Sequence, residues 1–186
     1  MRIITMVRDL SLQLNGGLNV VLKKNESFII SERALTEISL TFGDYLFQDD
    51  GDFDKYVRTY EPNTDLNGKT IFAFRSSGIG DLLALLTAFR ELKRRYPKVK
   101  IKLGTHYLTS SILQNDPIVD EIIQFPYPLR HAIEADYVLS FQGIVEHISD
   151  TSTTQNMYDL FLSGVGIDPA SVPRKNKIPK VYSRRK

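Results

Sequence analysis

The stretch TIFAFRSSGIGDLLALL, residues 70–86, leads from an apolar run through a loop of serines and glycines into a leucine-rich segment. The continuous apolar run at 70–74 is expected of a strand that is buried on both faces of a parallel sheet. After the loop, Leu82, Leu85 and Phe89 recur at helical spacing. The stretch therefore predicts a strand, a loop at the carboxyl end of that strand, and a helix.

The same alternation continues toward the C-terminus. Apolar runs and helical spacing predict strands at 99–104, 119–125 and 136–143, helices at 107–114 and 157–166, and a last extended piece at 178–182. Repeated strand and helix units with short connections favour a parallel sheet that has helices on its faces. We therefore expect residues 69–182 to form an α/β, Rossmann-like domain.

The first 62 residues have a different pattern. Two short apolar runs flank the Asn-Gly-Gly sequence at 15–17, which is a strong hairpin signal. Ser31 then opens a short helical segment. Turn-forming residues fill 61–68 and mark a domain boundary. The pattern predicts a small β-rich module at residues 1–62, ahead of the α/β domain.

Composition excludes several classes of protein. The chain has 186 residues, of which 42% are hydrophobic and 25% charged, a balance typical of a globular protein with a real core. No apolar run reaches the roughly 18 residues of a membrane span, and no signal-peptide pattern opens the sequence. Without cysteine there are neither disulfides nor thiolate metal sites. We expect a cytoplasmic location and no membrane span.

Charge is concentrated at the C-terminus. Residues 174–186 hold seven basic and no acidic side chains, so the first 173 residues carry 17 of the 24 basic residues against all 22 acidic ones. The body is mildly acidic and the tail is basic. This pattern predicts a solvated tail, with docking on an acidic protein or nucleic-acid partner as the alternative.

The loop after the first α/β strand is the candidate binding site. Gly78 and Gly80 permit positive φ and close approach to a ligand, but Leu83 stands where a dinucleotide fingerprint has its third glycine. Asp81 at the helix start would repel a phosphate. The loop favours a neutral polar ligand, with Asp81 accepting a hydroxyl proton. The alternative is that Asp81, or a serine before it, caps the helix.

Two other features of the sequence have residue types that occur in binding sites. Asp50, Asp52, Asp54 and Glu61 approximate calcium-loop spacing, but Lys55 occupies the position that needs glycine, which favours a solvated acidic loop. The three histidines lack ligand spacing. His106 follows the second α/β strand and is expected to line the same cleft as Asp81, whereas the other two are expected at the surface. No metal and no cofactor is predicted.

A family resemblance rests on three segments: FRSSGIGDLLALLTAFRELKRRYPKVKIKLGT at 74–105, DPIVDE at 116–121 and ADYVL at 135–139. In this order they resemble the N-terminal signature of glycosyltransferase family 9, the heptosyltransferases of lipopolysaccharide synthesis. That family opens with a strand, an arginine or lysine, a serine-containing glycine loop ending in Gly-Asp, and a leucine-rich helix. The resemblance covers about residues 69–168.

The resemblance implies the acceptor-binding half of a two-domain GT-B enzyme. Asp81 matches the family's proposed general base, and no metal is needed. The substrate-binding residues that we expect beside it are Ser76, Ser77, Gly78, Gly80 and His106. Thr87 departs from the family, which often has a proline there. The donor half would need about as many residues again, so we expect this chain to be inactive alone and to require a donor-domain protein as partner.

A second, fainter resemblance concerns LKKNESFIISERALTEISLTFGD, residues 22–44, which is similar to small phage structural proteins. It implies a different class: a non-catalytic structural or interaction protein that reuses the fold. Such a protein would sit in the virion with an assembly partner. Both classes stay open at the level of sequence.

Overall fold

The computed structural model describes residues 1–14, 18–75, 78–113, 115–142, 144, 156–180 and 182. Ten strands are described in chain order: β1 (Arg2–Met6), β2 (Leu10–Leu14), β3 (Leu18–Leu22), β4 (Ser27–Ile30), β5 (Phe47–Asp52), β6 (Thr70–Phe74), β7 (Lys100–Thr105), β8 (Glu121–Gln124), β9 (Tyr127–Pro128) and β10 (Tyr137–Ser140). The α-helices are α1 (Glu32–Phe42), α2 (Ile79–Arg95), α3 (Tyr107–Leu113), α4 (Arg130–Ile133) and α5 (Met157–Gly164). No helix in these ranges combines the length and apolar character that a membrane crossing requires.

The chain divides into two compact units, Met1–Arg58 with Phe125–Glu134, and Thr59–Gln124 with Ala135–Lys186. The first unit therefore takes ten residues from within the range expected for one continuous α/β domain. The reason is strand pairing, because β9 joins the edge of β4 in antiparallel register. The boundaries 1–62 and 69–182 stay predictions of the sequence.

The first unit is built on an antiparallel sheet in the order β5-β1-β4-β9, with a separate β2–β3 hairpin. The hairpin strands pair as predicted, while the turn at 15–17 lies outside the described residues. Helix α1 begins where expected, since the Ser31 side chain accepts the Ala34 N–H and so satisfies a free donor of the first turn. Ile38 is the buried residue of this helix.

The second unit confirms the predicted α/β fold. Its sheet has the order β10-β6-β7-β8, and all three pairings are parallel. Strand β6 is buried from Ile71 to Phe74, as its continuous apolar run predicts. Helix α2 buries Leu82, Leu85 and Phe89 at helical spacing against this sheet. Phe141 packs edge-on to Phe89, with 6.0 Å between the ring centroids.

Several boundary details differ from expectation, and among them the fourth α/β strand is Tyr137–Ser140 where the sequence predicts 136–143. The third α/β strand is shorter than predicted, because the chain leaves the sheet at Gln124 to form β9. The last piece, 178–182, is not a strand in its described residues. Instead, the described part of the basic tail contacts its own unit. Lys177 Nζ is 2.6 Å from Asp159 Oδ1, and the Arg90 guanidinium lies 5.8 Å from the centre of the Tyr182 ring. The described tail is thus held by its own unit, and an acidic partner stays a prediction.

Candidate functional site

The candidate site lies where the strand order reverses. The chain proceeds from β6 through β7 to β8 on one side of the sheet, then returns to place β10 on the other side of β6. In open parallel sheets such a reversal leaves a crevice outside the carboxyl ends of the two diverging strands, and ligands bind there. The loop between β6 and α2 occupies this position.

Arg75, the first residue after β6, is the centre of the site. Its side chain is only 2% exposed. One terminal nitrogen, Nη1, donates to the carbonyl oxygen of Phe141 at 2.8 Å, and Nη2 donates to Asp81 Oδ2. Its backbone N–H donates to the Gly104 carbonyl at 2.9 Å. Arg75 therefore connects β6 to the residue after β10, to β7 and to helix α2.

Asp81 is held by this buried guanidinium and is not the helix cap. Helix α2 begins at Ile79, Gly78 is the capping residue, and Asp81 is the third residue of the helix. The Asp81 side chain keeps 21% exposure. Its carboxylate thus stands at the positive end of the helix, balanced by Arg75 and still reached by solvent. The alternative in which Asp81 caps the helix does not fit this geometry.

The two glycines of the loop differ. Gly78 has a φ of +84°, and a Cβ built there would lie 2.9 Å from the Asp81 Cγ. Only glycine combines this backbone with so close an approach to the carboxylate. Gly80 lies in the first helical turn without positive φ, and a Cβ there would meet nothing within 4 Å. The expected left-handed backbone is therefore found at Gly78 and not at Gly80.

Ser76 and Ser77, which the sequence predicts as substrate-binding residues, lie outside the described residues. His106 is described, and it follows β7 directly. Because β6 and β7 are parallel neighbours with Phe74 opposite Gly104, His106 emerges at the same edge of the sheet as Arg75.

The backbone of His106 starts helix α3. Its carbonyl accepts the N–H groups of Thr109 and Ser110 at 3.0 and 3.1 Å, and the Thr109 hydroxyl at 2.7 Å. Burial lowers the pKa of the imidazole from its ordinary value of 6.5, because the charged form loses hydration. The neutral ring, which can both donate and accept a hydrogen bond, is therefore favoured near pH 7.

The chemistry available at this edge is that of an oriented carboxylate. Within the part of the chain that the structure describes, no group of three or more histidine and acidic side chains is placed to hold a metal ion. The Arg75–Asp81 pair is neutral as a whole, which suits a neutral polar ligand better than a phosphate. Arg75 is not among the site residues predicted from the sequence. Its position between a buried strand and the loop is the sequence feature that could have identified it.

No family model matches the sequence, and no curated protein matches it. The sheet order defines the fold class: an α/β protein with a Rossmann-like parallel sheet.

Solved structures to which the chain is similar include the family 9 glycosyl transferase from Veillonella parvula, at 13% identity and a TM-score of 0.40, covering 58% of this chain and 44% of that one. The E. coli heptosyltransferase WaaC with ADP gives 15% identity and 0.41, covering 56% and 49%. TibC, an iron-containing dodecameric glycosyltransferase from enterotoxigenic E. coli, gives 9% identity and 0.39, covering 90% and 42%. The chain thus spans about half or less of the length of each of these proteins.

Proposed function

We propose that the α/β unit is the acceptor-binding half of a heptosyltransferase-like glycosyltransferase. The crevice outside the carboxyl ends of β6 and β10 would receive a hydroxyl-bearing sugar. The observation that carries the proposal is the Arg75–Asp81 pair: a partly exposed carboxylate, oriented by a buried guanidinium, at the reversal of the strand order. The family 9 sequence signature includes the aspartate that makes up half of this pair.

The proposed chemistry is general-base catalysis. Asp81 would accept the proton of the attacking acceptor hydroxyl while the new glycosidic bond forms and the nucleotide leaves the donor sugar. Arg75 would act as a positioning residue, since its two hydrogen bonds fix one carboxylate oxygen relative to the sheet. His106, neutral and at the same edge, would hydrogen-bond a sugar hydroxyl. The donor nucleotide-sugar would be bound by a second half, on another chain or elsewhere in a longer one.

A second candidate function is favoured by the same pair. A buried guanidinium that joins β6, the residue after β10 and α2 is also what a purely structural ion pair looks like. In that case the protein keeps the fold without catalysis and works as an interaction protein. The solved structures named above are bacterial glycosyltransferases and give no support to the phage expectation.

One titration separates the two candidates. The ¹⁵N-labelled chain is titrated with inner-core oligosaccharide of lipopolysaccharide while the backbone amide shifts are followed. The proposal expects saturable shifts in the first turn of α2 and around His106. It also expects Asp81→Asn to weaken binding about ten- to a hundredfold, because a charge-assisted hydrogen bond to the sugar is lost.

The matched control is Glu37→Gln, which removes an exposed carboxylate from helix α1, outside the β6–α2 loop. It should bind as the parent chain does. If the oligosaccharide does not change these amide chemical shifts in a chain that circular dichroism shows to be folded, the acceptor-binding proposal fails. The function as an interaction protein is then favoured.

A further inference from the structure

A polar cavity lies at the far end of helix α2 from Asp81. Its volume is about 520 Å³, within the range of about 300–1,000 Å³ typical of small-molecule sites. Since α2 returns alongside the sheet, its last turns stand near the amino ends of the strands, away from the carboxyl-edge crevice. The polar side chains of the cavity are Asn63, Glu91, Arg94, Arg95, Asp168 and Ser171.

Glu91 has an unmet hydrogen-bonding requirement. Its side chain is only 9% exposed, and Arg94 donates to one carboxylate oxygen, Oε2. The other oxygen, Oε1, is buried and accepts no hydrogen bond within the described part of the chain. A buried acceptor without a donor is costly. Because Oε1 has almost no accessible surface, the Glu91 carboxylate would have to turn toward the cavity to meet a ligand O–H or N–H group, and that hydrogen bond would remove this cost.

The other charged groups at the cavity are already oriented. Arg95 donates to the Gly166 carbonyl at 3.3 Å, and its guanidinium lies 5.7 Å from the centre of the Tyr96 ring. Asp168 Oδ1 accepts the Ala170 N–H at 3.0 Å. Together with Glu91 and Arg94, these groups give two carboxylates and two guanidiniums. An anion would face both carboxylates and a cation both guanidiniums, so the charge balance favours a neutral ligand.

The cavity also has a small, fixed apolar surface. Ile167 and Val172 line it, and both are largely buried. Gly166 holds the adjoining turn at a φ of +71°, where a Cβ would meet Pro62 at 3.0 Å. The backbone approaches closely here because glycine has no side chain. A ligand with a C–H face would contact this surface without rearranging it.

We propose that this cavity binds a neutral polyhydroxylated ligand, a monosaccharide or disaccharide unit, independently of the carboxyl-edge site. Hydroxyl groups are the match, because each can donate to Glu91 or Asp168 and also accept from Arg94 or Arg95. The aliphatic face of a sugar ring then covers Ile167 and Val172. The proposal does not depend on the function proposed for Asp81.

The test is a second amide-shift titration of the ¹⁵N-labelled full chain, with D-glucose, D-mannose, N-acetyl-D-glucosamine and lactose as separate probes. Each probe is taken to about 50 mM, far above a millimolar Kd. We expect at least one sugar to give saturable shifts at 166–168 and 171–172. Shifts confined to the first turn of α2 would overturn this inference and leave the carboxyl-edge proposal standing. The absence of saturable shifts at 166–172 with all four sugars would also overturn it.

Two variants test the contacts. Glu91→Gln replaces the carboxylate acceptor and should raise the Kd at least about tenfold, whereas Glu121→Gln removes a carboxylate from β8, outside the cavity, and should leave the Kd unchanged. Ser171→Tyr fills the rim with a bulky ring and should abolish binding even if Glu91→Gln fails to fold. A folded Glu91→Gln or Ser171→Tyr chain that binds as tightly as the parent refutes the proposed site.

Discussion

The Arg75–Asp81 pair makes a quantitative prediction, because its two members are buried to different degrees. Asp81→Ala removes the carboxylate that accepts a hydrogen bond from a guanidinium only 2% exposed. Arg75→Met leaves a carboxylate that is 21% exposed and can regain water. The aspartate variant should therefore be the more damaging of the two single substitutions.

The magnitudes follow from these exposures. Removing one partner of a buried ion pair costs about 3–5 kcal/mol, and we expect Asp81→Ala in this range. Arg75→Met should cost about 1–3 kcal/mol, mainly because the Phe141 carbonyl loses its 2.8 Å hydrogen bond. With the guanidinium already gone, Asp81→Ala should cost about 1 kcal/mol or less. The coupling energy between the two sites is then about 2–4 kcal/mol.

The assay is urea unfolding followed by circular dichroism for the parent, both single variants and the double variant. In a thermal melting experiment, the melting temperature of the Asp81→Ala variant should be roughly 6–20 °C below that of the parent, at about 2–4 °C per kcal/mol for a chain of this size. The matched control is the cycle at Arg33 and Glu37 on α1, an ion pair exposed by 90% and 64%. Its coupling should be about 0.3–0.5 kcal/mol.

The result that refutes this reasoning is equally specific. If Asp81→Ala costs the same in the presence and absence of Arg75, the two side chains do not form a coupled pair. A coupling energy no larger than that of the α1 control would lead to the same conclusion.

Three further predictions concern the loop, the histidine and the tail. Gly78→Ala should lower the free energy of unfolding in urea by at least about 2 kcal/mol, because the φ of Gly78 is +84°. Gly80→Ala should instead stabilise the folded chain by about 0.5–1 kcal/mol. Equal effects of the two substitutions would contradict the loop geometry. NMR titration of His106 should give a pKa below 6.5. Since the folded state then binds the proton less readily than the unfolded chain, stability should fall as the pH drops below about 6.5. A midpoint at or above 6.5 would be inconsistent with a partly buried ring. Lys177→Met should lower the free energy of unfolding by about 0.5–1 kcal/mol, because it loses the 2.6 Å ion pair with Asp159. Lys175 is exposed, and Lys175→Met should change the stability very little. Equal unfolding midpoints for the two variants would show that the tail is not attached to the unit.

Local patterns account for most of the α/β unit. Strand β6 and helix α2 are predictable because a five-residue apolar run and leucines at helical spacing are strong, contiguous signals. Strand β9 was missed because two residues carry no periodicity, and its place depends on the open edge of β4. Such a pairing is a tertiary event between segments about 100 residues apart.

The candidate site divides in the same way. The loop and its aspartate are evident from residue types and order, and the family resemblance reaches the same residues. The hydrogen bond from Arg75 to the Phe141 carbonyl joins residues 66 positions apart, so no local pattern contains it. Whether Asp81 is the cap or the third residue of α2 depends on a shift of three residues in the helix start, slightly more than the one or two residues by which helix ends usually vary.

The passage of residues 125–134 into the first unit has a consequence for dissection of the molecule. The backbone crosses between the two units three times, so neither can be isolated by one cut. A fragment ending at Arg58 would lack β9 and leave β4 as a bare edge strand, which invites intermolecular pairing. A fragment beginning at Thr59 would carry β9 and α4 without the sheet to which they belong. Expression of either half alone should therefore give aggregation, and recombination between relatives should exchange the two units together.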